Sequence, residues 1–180
     1  MKEKIKKFFA NDFTCLVTEM FVAFIVVFLL LRFVFILALI PTGSMYPTVP
    51  YPSINLGNRL AYLLDSPERG DIVYFQSEEM GAILIKRVIG VPGDTVEERN
   101  GEIYVNGVKI DEPYLVESPK DEDAGPFVVP EDCYFLMGDN RNNSYDARYW
   151  EKPYICKTDI IAKHMLSFKI LGMDSEESGT

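Results

Sequence analysis

This sequence predicts a mainly β domain carried on a single amino-terminal transmembrane helix, and three observations lead there. Residues 13–40 form the one stretch long and apolar enough to cross a bilayer. Beyond Pro41 the apolar residues come in short runs rich in β-branched and aromatic side chains, as strands do. Asn100-Gly101 and Asn106-Gly107 are two-residue hairpin signals, because a type I′ turn needs positive φ at both central positions.

The apolar stretch reads FTCLVTEMFVAFIVVFLLLRFVFILALI. A span needs about 20 residues to cross a hydrocarbon core of about 30 Å. A register from Met20 to Ile40 would bury Arg32 near the middle, at about 2.5–3.5 kcal/mol. A register from about Phe13 to Leu31 puts Arg32 at the far interface and is preferred, although Glu19 then lies inside the near end. It frees Phe33 to Ile40 for a strand. Lys2, Lys4, Lys6 and Lys7 precede the span and only Arg32 closely follows it, so the amino terminus is expected in the cytoplasm. The apolar core is too long for a cleavable signal peptide, and no Ala-x-Ala follows it. Residues 1–32 are therefore expected to be a lysine-rich cytoplasmic end plus membrane anchor. Residues 33–171 are expected to be an extracytoplasmic β domain, and 172–180 a disordered acidic tail.

In the body, DIVYF, AILIKRVI, EIYVNGVKI and CYFLM read as strands, with Val96 to Ile110 a three-strand meander. RLAYLLDSPERG suggests one helical turn, and VESPKDEDAG an acidic surface loop. Net charge is −9; residues 1–40 hold five basic and three acidic residues, a net +2, so the body carries −11. An acidic body suits solubility and excludes a nucleic-acid binder, which must neutralise phosphates. Cys15, Cys133 and Cys156 have no metal spacing. Cys133 and Cys156 are the only two that could pair, and they read as free, buried thiols, with the redox compartment left open.

Ser44, in LALIPTGSMYPTV just past the apolar stretch, is the candidate nucleophile. It lies in no Gly-x-Ser-x-Gly elbow and no Ser-x-x-Lys. The single histidine, His164, reads as an ordinary strand residue. The other base on offer is Lys86 in AILIKRVIGVPGD, flanked by apolar residues on both faces of its strand. A buried amine resists charging, so its pKa falls, and a neutral lysine can take a hydroxyl proton. A third stretch, MGDNRNNSYDARYW, reads on its own as a hydrogen-bonded turn.

Together SMYPT, RGDIVYF, KRVIGVPGD and GDNRNNSYDARYW resemble, in order and behind an anchor, the motifs of bacterial type I signal peptidases. The match runs from the anchor to about Lys163, and the short insertion before the last motif resembles compact Gram-positive forms. The resemblance implies a signal-peptidase-like β domain of antiparallel sheets, partly barrel-like, on one transmembrane helix. It implies Ser44 as nucleophile, Lys86 as general base, and Ser144 as the serine that orients the lysine amine. Thr42 would join the Ser44 N–H in an oxyanion hole. Ile40 and Ile85 would line shallow substrate pockets, and Asp139, Asp146 and Arg148 would support the last motif. Thr42 is often Ser in the family, Asn142 stands where Asp is common, Gly57-Asn58 replaces Gly-Asp, and Ala162-Lys163 replaces Gly-Lys. The implied activity is removal of signal peptides from secretory preproteins after small residues at the cell membrane, with no metal or cofactor. Two rivals are a self-cleaving Ser/Lys protease, which the anchor and acidic body oppose, and a non-catalytic membrane-tethered domain that binds export partners.

Overall fold

Residues Lys2–Leu29 form one helix, α1, and the chain then widens into a π turn over Leu30–Val34, where the Phe35 N–H donates to the Leu30 carbonyl. The structure, a computed structural model, describes residues 2–170; the tail expected over 172–180 lies outside them. Phe13–Val34 is long and apolar enough to cross a membrane, and none of its most apolar window is buried among the described residues. Arg32 closes this stretch, its guanidinium 5.6 Å from the Phe33 ring.

Eleven strands follow among the described residues: β1 (Phe35–Ile40), β2 (Ser53–Asn58), β3 (Ile72–Ser77), β4 (Ala82–Gly90), β5 (Thr95–Arg99), β6 (Glu102–Val105), β7 (Val108–Lys109), β8 (Ala124–Val128), β9 (Cys133–Met137), β10 (Tyr154–Cys156) and β11 (Ile160–Lys169). They build a seven-stranded sheet, order β1-β2-β11-β3-β4-β9-β10, and a four-stranded sheet, order β7-β6-β5-β8. Every pairing is antiparallel. The expected meander is β5-β6-β7, with positive φ at Asn100, Gly101, Asn106 and Gly107, the conformation its turns require. RLAYLLDSPERG holds a four-residue turn over residues 60–63, Leu63 N–H to the Leu60 carbonyl, and no helix. The acidic loop ends earlier than expected, because Ala124 and Gly125 already belong to β8.

Two apolar clusters hold these sheets. Val73, Phe75, Val88, Ile89, Val96, Ile103, Phe135, Leu136 and Met137 form the larger one, which joins the small sheet to the large one. Ile36, Ile40, Met45, Val49, Tyr74, Ile85 and Ala162 form the second, under β1. On β2 the usual pattern is inverted. Ser53 and Asn55 point inward and bond each other, Nδ2 to Oγ at 2.7 Å, while Ser167 Oγ donates to Asn55 Oδ1 at 2.5 Å. Polar satisfaction replaces apolar packing there. The outward side of the same strands is apolar: Leu37, Leu56 and Leu166 lie in register, as do Leu39, Ile54 and Phe168. Leu37, Leu39, Ile54, Leu166 and Phe168 are all exposed.

The cysteines correct the expectation of free thiols. Cys133 and Cys156 face each other across β9 and β10 and form a disulfide. Their separation of 23 residues gives no hint of that register; only the pairing of two strands brings them together. Cys15 is free and exposed on α1. Cys156→Ser is expected to lower the unfolding free energy by about 3 kcal/mol, the scale for a cross-link closing a loop of this length. Urea titrations with and without reductant check this: reductant should bring the wild type down to the variant and leave the variant unmoved.

Candidate functional site

Ser44 lies in the turn that follows β1. Tyr46 N–H donates to the Gly43 carbonyl at 3.0 Å, and Val49 N–H to the Met45 carbonyl at 2.9 Å. Met45 and Val49 are fully buried in the second cluster and anchor the turn. Ser44 itself is half-buried and Thr42 is exposed. Neither hydroxyl has a hydrogen-bond partner among the described residues, so both are free to meet a ligand. Ile40 and Ile85 are brought together in the cluster that holds Met45, with 6% and 4% of their surface exposed.

Lys86 sits in β4 opposite Val73. Only 4% of it is exposed, and its Nζ donates to Ser144 Oγ at 3.0 Å. No carboxylate pairs with it among the described residues. Burial is the main reason its pKa falls to about 8, with Asp146 and Asp139 opposing the shift and Arg148 adding to it. The amine is hydrogen-bonded to Ser144 and not to Ser44.

The turn from Gly138 to Ser144 joins these parts. A Cβ on Gly138 would lie 2.2 Å from Ser144 Oγ and 2.5 Å from the Ser44 carbonyl oxygen. Only a glycine lets the Ser44 turn and Ser144 close on that point. Asp139 takes the Arg87 guanidinium bidentately, Nε to Oδ1 at 2.8 Å and Nη2 to Oδ2 at 2.6 Å. Arg87 is the neighbour of Lys86, and the Tyr114 ring covers its guanidinium at 3.9 Å. Asp146 Oδ2 accepts the Gly138 N–H at 3.0 Å, and Arg148 Nε donates to Asp146 Oδ1 at 2.9 Å. Arg148 also reaches Glu98 Oε1 at 3.2 Å and the Arg141 carbonyl at 2.8 Å. Burial raises the Glu98 pKa against the pull of Arg148. Arg141 in turn is paired with Glu112.

Of the residues expected from the sequence, the structure brings Lys86 and Ser144 into contact and ties Asp139, Asp146 and Arg148 to the same turn. Ser44 joins through its backbone. His164 stands apart from Lys86: its Nδ1 is 2.9 Å from Tyr74 Oη and its Nε2 is 3.2 Å from Ser167 Oγ. Burial lowers its pKa. Sequence reasoning missed Gly138, Asn140, Glu98 and the Glu112–Arg141 pair. The two motif residues stood inside a quoted stretch but differed in no visible way from their polar neighbours. Glu98 and Glu112 carry no local signal, because their partners are 50 and 29 residues away.

The chain matches the family model described as "Signal peptidase, peptidase S26" over residues 14–169. It is 44% identical over 117 residues to a probable signal peptidase I-2 of Synechocystis, covering 62% of this chain and 53% of that one. It is 39% identical over 156 residues to signal peptidase I P of Bacillus subtilis subsp. natto, covering 82% of this chain and 83% of that one. A crystal structure of a signal peptidase I from Enterococcus faecalis V583 matches with a TM-score of 0.49 and 34% identity, over 55% of this chain and 97% of the other. The match thus spans about half the length of the Synechocystis relative and most of the Bacillus one. A mainly β fold of antiparallel sheets behind one apolar helix, matched by this family model over most of the chain, sets the class. The chain belongs to the signal peptidase, peptidase S26 family.

Gly138→Ala is expected to force the Ser44 and Ser144 segments apart and to cost about 1–3 kcal/mol, as overpacking does. Asp139→Ala leaves the buried Arg87 uncompensated and is expected to cost more, about 3–5 kcal/mol. Denaturant midpoints of the two variants, compared with the wild type, check both the values and their order.

Proposed function

We propose that this chain is a membrane-bound serine endopeptidase that removes signal peptides from exported preproteins by a Ser44/Lys86 dyad. The observation that carries this is the state of Lys86: a buried amine with no carboxylate partner, aimed by Ser144 and facing the turn that bears Ser44. An amine whose pKa falls to about 8 is partly neutral at physiological pH and can accept a proton.

The substrate adds as a strand. Among the described residues β1 pairs with β2 alone, so its other edge is open to main-chain hydrogen bonds from an extended peptide. Alternate side chains of that peptide share a face. Ile40 and Ile85, buried in the cluster under β1 with a small edge of each exposed, line shallow pockets that admit only small side chains at the first and third positions before the cut, hence the preference for Ala-x-Ala. Ser44 Oγ turns to Lys86, gives it the proton and attacks the carbonyl carbon. Catalytic hydrogen bonds that are open in a free enzyme commonly tighten on substrate. The Ser44 N–H and the Thr42 hydroxyl hold the oxyanion, each such donor worth about 2.7–4 kcal/mol. Lys86 then protonates the leaving amine and activates water for deacylation.

The body lies outside the cytoplasm and against the bilayer. Four lysines precede the apolar span that begins at Phe13, which orients it. The Cys133–Cys156 disulfide suits an oxidising compartment. The exposed apolar face of β1, β2 and β11 follows directly on the membrane helix. Residues 1–32 supply the anchor and residues 33–171 the catalytic unit.

Incubation of the purified protein with a preprotein tests this. Ser44→Ala and Lys86→Ala are each expected to abolish cleavage while the circular-dichroism spectrum is kept; turnover by Lys86→Ala would eliminate the dyad. The pH profile follows from the sign of the lysine shift. The reactive form is the neutral amine, so kcat/KM is expected to rise with pH through about 8 and level off above it. A rise centred on the ordinary histidine pKa of about 6.5 would point elsewhere.

A further inference from the structure

We infer that Asn140 is the positioning residue that aims the oxyanion donor. Its Nδ2 donates to the Gly43 carbonyl at 3.1 Å, and its backbone N–H donates to the Ser44 carbonyl at 3.0 Å. The Gly43 C=O and the Ser44 N–H belong to one rigid peptide plane and point in opposite directions. Fixing the first fixes the second. The Ser44 C=O belongs to the next plane, so one residue holds both planes that flank the Ser44 Cα.

The Asn140 side chain is itself oriented. Its Oδ1 accepts Asn143 Nδ2 at 3.2 Å, which leaves Nδ2 as the end that faces Gly43. The residue before it, Asp139, is locked to Arg87, next to Lys86 in β4. The turn that carries Asn140 ends at Ser144, the partner of the Lys86 amine. Base and oxyanion donor are thereby referred to one frame: the turn places the amine through Ser144 and the Ser44 N–H through Asn140. A hydrogen-bond donor aimed where charge develops acts without reorganising, and its value depends on its direction.

This rests on the Ser44/Lys86 assignment, and a transition-state analogue separates the two. A peptide aldehyde ending in alanine accepts Ser44 Oγ at its carbonyl carbon; the serine proton passes to Lys86, and the aldehyde oxygen becomes the oxyanion in the hole. The matching peptide alcohol occupies the same pockets and cannot form the adduct. Asn140→Asp keeps the size and the backbone bond and loses the amide donor; Asn140→Ala removes the side chain without adding charge. Both are measured on the pH plateau, where any effect of the aspartate on Lys86 no longer changes its protonation. The expected result is a fall in kcat on the order of 10²-fold, the scale of a misplaced reacting group, with KM unchanged. Aldehyde affinity should fall by the same factor as kcat/KM, and alcohol affinity should stay as in the wild type.

Folded variants with wild-type kcat would overturn the role, as would equal losses of aldehyde and alcohol affinity. Variants that both fail to fold would overturn it in favour of a structural role. A wild-type protein that neither cleaves a preprotein nor binds the aldehyde more tightly than the alcohol would remove the dyad itself, and the role of Asn140 with it.

Discussion

Lys86 has been taken out of water without being given a counter-ion. That is an unfavourable place for an ammonium, and it depresses the pKa toward neutrality. Keeping it so requires that the nearby carboxylates belong to other groups. Asp139 is committed to Arg87, and Asp146 to Arg148. Arg141 and Glu112 add a third pair on the same turn. The carboxylates that would recharge the lysine are each matched by a guanidinium. Arg148, close enough to act on Lys86, pushes in the same direction as burial. A planar guanidinium suits this role, because it stays charged and takes a carboxylate with two hydrogen bonds.

The turn from Gly138 to Ser144 carries that arrangement to the serine. It leaves β9, one strand in from the edge of the large sheet, and must touch the β1 turn on one side and β4 on the other. The absence of a side chain at Gly138 makes the approach possible. Asp146, further along, hydrogen-bonds back to the Gly138 N–H and closes the turn on itself. The serine and the lysine come from segments 42 residues apart, yet both are referenced to this one piece of backbone.

Much of this was legible in the sequence. The apolar stretch, the two Asn-Gly hairpins and the strands β3, β4 and β9 declare themselves through local pattern, which is a matter of bonded neighbours and side-chain period. The strands that did not, β2, β8 and β10, are those with a polar inward face, a proline or only three residues. The candidate site was readable as three motifs. Which atoms in them touch was not, and neither was the importance of Gly138 or Asn140, since their partners lie in another strand or turn.

The sequence by itself determined the apolar helix, the acidic β body and the set of polar residues from which a site is built, because hydropathy, charge and turn chemistry are properties of short segments. Tertiary structure alone decided that Cys133 meets Cys156, that Ser144 meets Lys86, and that His164 is occupied by Tyr74 and Ser167. The reason is the same in each case: a contact across a sheet depends on strand order and register, and these are set by how the whole apolar surface is buried rather than by any one stretch of chain.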